Sequence, residues 1–269
     1  MKVIGRFIEN IGEIYHYRSM IATMVHRDLR GRYKKSVLGF LWSFLNPLLQ
    51  MFVYSIVFSV IMRTGIDKYY IFLFAALVPW IFFGSSMSAG AVCITSSPDL
   101  IKKIYFPREV IPIACTTSAF VNMLLSFLMI FVILIFSGFG INPKALIFLP
   151  VIMLIEYVMV LGMTFLWSSV TVYFRDMEHI LGIISLAWQF LTPVMYPQSM
   201  VTESLSRGYL TVWNLNPMTP VVNAYRDILY YKKAPEMDTL LSATILGIVV
   251  LALGYVVFEH LKRRFAEEM

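Results

Sequence analysis

The sequence predicts an all-α integral membrane protein: six transmembrane helices, an N-terminal amphipathic interface helix, and re-entrant helices between spans five and six. Three observations predict it. Hydrophobic residues are 59% of the 269-residue chain and charged residues 14%, whereas a soluble domain carries about 25% charge. Six stretches are almost free of Asp, Glu, Lys and Arg, and each reaches the length of about 20 residues that crosses about 30 Å of hydrocarbon. The stretches are continuous rather than alternating, which excludes a barrel and leaves helices to pair their own backbone groups in lipid. A disordered chain, a disulfide scaffold and an ordinary cytosolic enzyme do not fit this composition.

Residues 1–36 form the first region. Ile14, Ile21, Val25 and Leu29 recur at helical spacing, while Arg27, Arg30 and Lys34 lie off that stripe. This predicts a helix lying at the cytoplasmic interface, its cations facing lipid phosphates or an acidic partner. Positive charge runs through the whole segment with no apolar core before a cleavage site, so a signal peptide is not expected. Residues 37–269 form the transmembrane domain, with spans at 37–62, 69–98, 110–143, 145–174, 180–202 and 239–258. Cys93 and Cys115 fall inside spans and are read as small buried residues.

Of the spans, the fourth holds Glu156 well inside, about 18 Å along the helix from Lys144. An ionised carboxylate there costs about 2.5–3.5 kcal/mol, which points to a structural or pathway-lining role. Fifteen of the 22 Lys and Arg residues lie before the first span, in the second and fourth connections, or in the C-terminal tail. Both termini are therefore expected in the cytoplasm. The net charge of +6 belongs to membrane edges, and no nucleic-acid partner is expected.

Two connections stand out. In residues 97–108, Asp99 is placed to cap a short helix that Pro107 ends. Leu100, Ile101 and Ile104 give it an apolar side, and Lys102 and Lys103 a charged one. A short stiff helix suits a protein that receives force from a soluble partner; a plain surface turn fits the same pattern. Residues 198–237 carry Tyr209, Trp213, Met218, Val221, Tyr225, Ile228 and Tyr230, interrupted by Pro217 and Pro220. Two short helices dipping into the outer leaflet would bury these side chains, which an exposed loop would leave in water. Trp42, Trp80, Trp167, Trp188 and Trp213 suit aromatic belts, and some also suit stacking on sugar rings.

Catalytic chemistry is missing. There is no G-x-x-x-x-G-K-[ST] phosphate loop, no H-E-x-x-H or Cys/His cluster, and no G-x-S-x-G elbow. His16, His26, His179 and His260 are scattered. The chain is expected to be a transport subunit rather than an enzyme, with no metal or cofactor of its own.

The run from Arg27, Asp28, Leu29, Arg30, Arg32 and Tyr33 through Ser36, Leu38, Gly39 and Trp42 to Pro47 and Leu48 resembles the opening signature of type-2 ABC transporter permeases that export polysaccharides. The 97–108 loop is similar to that family's coupling helix. Tyr173-Phe174-Arg175-Asp176 is similar to its fourth-to-fifth turn. Thr192-Pro193-Val194-Met195-Tyr196-Pro197, Asn216-Pro217-Met218-Thr219 and Tyr225-Arg226 resemble its fifth-span end and re-entrant helices. The resemblance covers nearly the whole chain in order. It implies a homodimer in a bacterial cytoplasmic membrane, paired with two copies of an ATP-binding cassette subunit that binds ATP and Mg. It also implies a lipid-linked glycan substrate of the O-antigen, capsule or teichoic acid type.

On this reading ATPase coupling falls to Asp99, Leu100, Ile101, Lys102, Lys103, Phe106, Pro107 and Arg108. Contact with the interface and the lipid pyrophosphate falls to Arg27, Asp28, Arg30, Arg32, Tyr33 and Lys34. Candidates for the glycan path are Trp42, Trp188, Tyr196, Trp213, Tyr225, Arg226 and Glu156. Export of a drug or other small amphiphile by a related permease is the alternative within transport. A lipid-sugar transferase would need clustered acids or His, of which only Asp176, Glu178 and His179 form a group. A scaffold would not require the apolar outer loop.

Overall fold

The computed structural model describes residues 12–32, 36–204, 210 and 213–268. Among these, every regular element is a helix. We number them α1 (Arg18–Arg32), α2 (Trp42–Ser55, continued by a π-helical turn at Ile56–Ile61), α3 (Tyr69–Val92), α4 (Pro98–Lys103), α5 (Val110–Phe136), α6 (Pro143–Leu146), α7 (Leu149–Tyr173), α8 (Met177–Leu191), α9 (Gln198–Ser204), α10 (Met218–Leu229), α11 (Met237–Leu261) and α12 (Phe265–Glu268). The tail reaches α12 through a 3-10 turn at Lys262–Arg264.

Five stretches are long and apolar enough to cross a membrane: Trp42–Ile61, Tyr69–Val92, Val110–Phe136, Pro143–Tyr173 and Met237–Arg264. The fifth of the six expected spans differs. Its helix, α8, has 15 residues and so reaches only about 22 Å. The cause is Pro193, which has no N–H to donate and forces the residue before it out of the helical region. Thr192 accordingly adopts φ −101°, ψ 139°, and the chain turns into α9.

Helix α3 is the centre of the bundle. In its apolar window 78% of residues are buried, against 6% for α2 at the periphery. Phe72, Phe74, Phe82 and Phe83 of α3 share one core with Phe127 of α5, Met159 of α7 and Val221 of α10. A second core at the other end joins Ile101, Phe106 and Val110 to Val172, Phe258 and Phe265, with Tyr17, Met20, Ile21 and Met24 packed over it. Helix α1 thus lies along α5 on the half-buried stripe read from its spacing, with Arg27 and Arg30 exposed.

The apolar fifth-to-sixth connection folds back into the bundle. Every residue of α10 except Asn223 is buried, against α3, α6, α7 and α11. The closest helix pair is α7 with α11, where glycines replace side chains at the crossing. A Cβ at Gly162 would lie 2.5 Å from the Leu251 Cα, and one at Gly254 would overlap the Gly162 carbonyl. In lipid, where apolar surface gains nothing by leaving the solvent, such close approach supplies the dispersion energy of association.

Gly254→Ala should therefore force α7 and α11 apart at a cost of about 1–3 kcal/mol and lower the thermal midpoint in detergent. At Gly247 the nearest atoms to a new Cβ lie 3.5 Å away, so Gly247→Ala should leave the midpoint nearly unchanged. Equal midpoints for the two variants would contradict the close-packed crossing.

Candidate functional site

At the end of the bundle holding α9 and α10, the broken span leaves a run of carbonyls that helix geometry does not pair. The side chains around it answer them one at a time. Thr192 N–H and Oγ1–H both donate to the Trp188 carbonyl, at 2.9 Å each. Tyr196 Oη donates to the Phe190 carbonyl at 2.6 Å. Asn216 Nδ2 donates to the Leu191 carbonyl at 3.3 Å and to Thr192 Oγ1 at 2.9 Å. Its Oδ1 accepts from Trp188 Nε1 at 3.0 Å and from the Met218 N–H at 3.1 Å, which starts α10. Tyr69 Oη donates to the Met195 carbonyl at 2.7 Å.

Arg226 closes the set. It is 2% exposed. Nη2 donates to the Val194 carbonyl at 2.6 Å and Nη1 to the Tyr196 carbonyl at 3.1 Å. The guanidinium lies 3.7 Å from the centre of the Phe72 ring. Among the described residues no carboxylate pairs with it. Carbonyl dipoles and an aromatic face carry the charge, a task that suits the planar five-donor fork of arginine. Its neighbour Tyr225 turns the other way and donates to Glu156 Oε2 at 2.7 Å, tying α10 to α7. Glu156 is fully buried, and its Oε1 has no partner among the described residues. At the edge of this region Asp227 sits 3.3 Å from Lys233 Nζ, and the carboxylate raises the lysine's pKa above its ordinary value.

The structure brings six of the seven glycan-path candidates together around one feature. Trp188, Tyr196, Tyr225 and Arg226 join the hydrogen-bonded break, Glu156 joins it through Tyr225, and half-buried Trp213 lies 6.4 Å from the Tyr196 ring. Trp42 lies elsewhere. It lines a cleft with Ser43, Asn46, Ser85, Asn122 and Ser126 and donates to Ser36 Oγ at 3.1 Å. Asn216 and Tyr69 were not singled out as site residues. The Asn216-Pro217 motif was a signal for the first, and Tyr69 carried none.

At the opposite end α4 is a helix of six residues, too short to stand alone. Ile101 and Phe106 anchor it by entering the second core. Leu100 is half-buried there, while Asp99, Lys102 and Lys103 are exposed, with Asp99 and Lys103 paired at 2.9 Å. Pro107 and Arg108 are half-buried. The outward apolar surface belongs to two residues outside the coupling set, Ile104 at 52% and Tyr105 at 91% exposure. On α1, Asp28 accepts a hydrogen bond from Ser118 of α5, and Arg27 borders a cleft with Met24, Ser96 and Ser97. The Arg32 side chain, Tyr33 and Lys34 lie outside the described residues. Cys93 and Cys115 form no disulfide among the described residues.

Residues 20–230 match the family described as ABC-2 type transporter. The chain is 34% identical over 262 residues to the O-antigen export system permease protein RfbA of Myxococcus xanthus, covering 97% of this chain and 100% of that one. It is 29% identical over 258 residues to the protein of the same name from Klebsiella pneumoniae, with 96% of each covered. With the polysialic acid transport protein KpsM of Escherichia coli it shares 23% identity over 236 residues, 86% of this chain and 89% of that one.

Arg226→Met should leave the Val194 and Tyr196 carbonyls unpaired, at about 1–3 kcal/mol for each. Arg226→Lys should not rescue, because one ammonium does not span both oxygens. Thermal unfolding of the purified subunit reads the loss, and a parental midpoint in Arg226→Lys would refute the clamp.

Proposed function

We propose, since the chain belongs to the ABC-2 type transporter family, that it is the membrane subunit of an ATP-driven exporter of lipid-linked polysaccharide. The observation that carries this reading is the match along 97% of the chain to an O-antigen export permease. A chain without a phosphate loop needs a separate ATP-binding subunit, which binds ATP and Mg. Two copies of each subunit make the working assembly. The exposed apolar faces of α2 (Leu49, Phe52, Val53, Val60) and α8 (Ile183, Leu186, Phe190) offer surface for a second copy as well as for lipid.

In this reading the end bearing α1, α4 and the tail is cytoplasmic, in agreement with its surplus of Lys and Arg. Both termini then lie inside, and residues 198–237 lie at the outer leaflet. The ATP-binding subunits close on ATP and press on α4 through Ile104, Tyr105, Lys102 and Lys103. ATP binding performs work here because the closed partner fits one arrangement of the spans better than the other. Arg27 and Arg30, exposed on α1, receive the anionic pyrophosphate of the lipid carrier. The glycan passes between subunits toward the aromatic side chains around the broken span.

Ile104→Asp with Tyr105→Asp should weaken docking of the ATP-binding subunit by about 30-fold, the size of a ~2 kcal/mol hot spot, without preventing membrane insertion. Ile101 is unsuitable for this test, because its side chain supports the fold. Parental affinity in the double variant would remove α4 from the docking surface. Arg27→Gln with Arg30→Gln should lower affinity for vesicles carrying lipid-linked glycan by about 1 kcal/mol per charge; unaltered binding would dismiss the pyrophosphate role. For the function as a whole, cells lacking this chain should keep the lipid-linked polymer inside, and polymer at their surface would refute export.

A further inference from the structure

The connection leaving α4 is not free to move alone. Arg108 donates to the Lys262 carbonyl at the end of α11, and its guanidinium lies 5.8 Å from the centre of the Phe265 ring. Glu109, 1% exposed, accepts from Lys262 Nζ at 2.6 Å. The same ammonium lies 2.5 Å from Glu259 Oε2. One residue earlier, the Leu261 carbonyl accepts from Tyr173 Oη at 3.0 Å, at the end of α7. Three segments far apart in sequence therefore meet within two residues of the tail.

Geometry of this kind has a mechanical consequence. Glu109 stands at the first turn of α5, directly after the loop that follows α4. A push on α4 reaches α5 along the chain, α11 through Lys262, and α7 through Tyr173. The glycine crossing of α7 with α11 carries the displacement onward, because backbones in contact do not slide independently. A simple anchor for the tail would need only the Phe265 side chain, which is fully buried. A largely buried ion pair adds direction, since drawing Lys262 away from Glu109 costs the attraction between an ammonium and a buried carboxylate.

We propose that Lys262 is a positioning residue that converts movement of α4 into joint movement of α5, α7 and α11, and that the Glu109–Lys262 pair couples ATP hydrolysis to export. The proposal rests on α4 being the docking surface. It adds a function to the C-terminal tail, which the coupling reading left out.

The test uses the full complex, permease with ATP-binding subunits, reconstituted in vesicles with lipid-linked glycan. The readout is glycan exported per ATP hydrolysed. Glu109→Gln keeps the shape of the side chain and removes its charge. The assembled variant should hydrolyse ATP at the parental rate, with export per ATP reduced about 2- to 30-fold, the range by which coupling residues act. Lys262→Met should do the same, Lys262→Arg should restore the ratio, and the double variant should be no worse than either single one. An unchanged ratio in assembled Glu109→Gln overturns the proposal. So does a loss of assembled complex in which the remainder exports at the parental ratio, since that marks a purely structural pair. Glu109→Gln decides the matter if Lys262→Met fails to insert. Failure of the docking reading is told apart by Ile104→Asp with Tyr105→Asp: parental docking there removes the premise, whereas lost docking with an unchanged ratio in Glu109→Gln removes the strut.

Discussion

A helix that stops short inside a bundle must find partners for its last carbonyls, because the donors that a further turn would supply are gone. Pro193 imposes that stop on α8, and the fold around it is arranged to answer it. Asn216 fixes where α10 begins, Arg226 and Tyr69 fix the turn against α3, and Tyr225 extends the contact to Glu156 in α7. A buried arginine without a carboxylate is costly in isolation. Here its donors replace water for oxygens that would otherwise be orphaned, so the desolvation of one group offsets that of the others.

The two ends of the bundle solve different problems. At the broken-span end, polar side chains hold an irregular backbone in a fixed shape. At the other end, a six-residue helix is held by apolar anchors, Ile101 and Phe106, and by the ionic contacts of Glu109 and Lys262. The first arrangement suits a rigid passage and the second suits a lever. Helix α3, buried on nearly all sides, runs between them.

Much of the fold was legible in the sequence because hydrocarbon imposes a simple rule on composition. Long runs without charge marked the spans, and the half-buried stripe of α1 followed the spacing of Ile14, Ile21, Val25 and Leu29. Pro193 ends α8 inside the 180–202 stretch that composition reads as one span, and Pro220, expected to interrupt the connection, lies within the first turn of α10. Residues that hold the break after α8 were legible when a motif carried them, as with Tyr196, Tyr225 and Arg226. Tyr69 was not, since one tyrosine at the start of an apolar run looks like any belt residue. That Ile104 and Tyr105 carry the outward apolar surface beside α4 was not legible, because spacing in six residues does not say which side of a helix meets its own bundle.

The amino-acid sequence by itself determined the helical class and the uneven distribution of positive charge, since each follows from local composition and from what lipid forbids. Only the tertiary structure decided that α3 is central and α2 peripheral, that Arg226 serves carbonyls rather than a carboxylate, and that Lys262 meets Glu109. Those outcomes depend on which segments approach across 30 to 153 residues of chain, and one-dimensional spacing carries no record of such pairings.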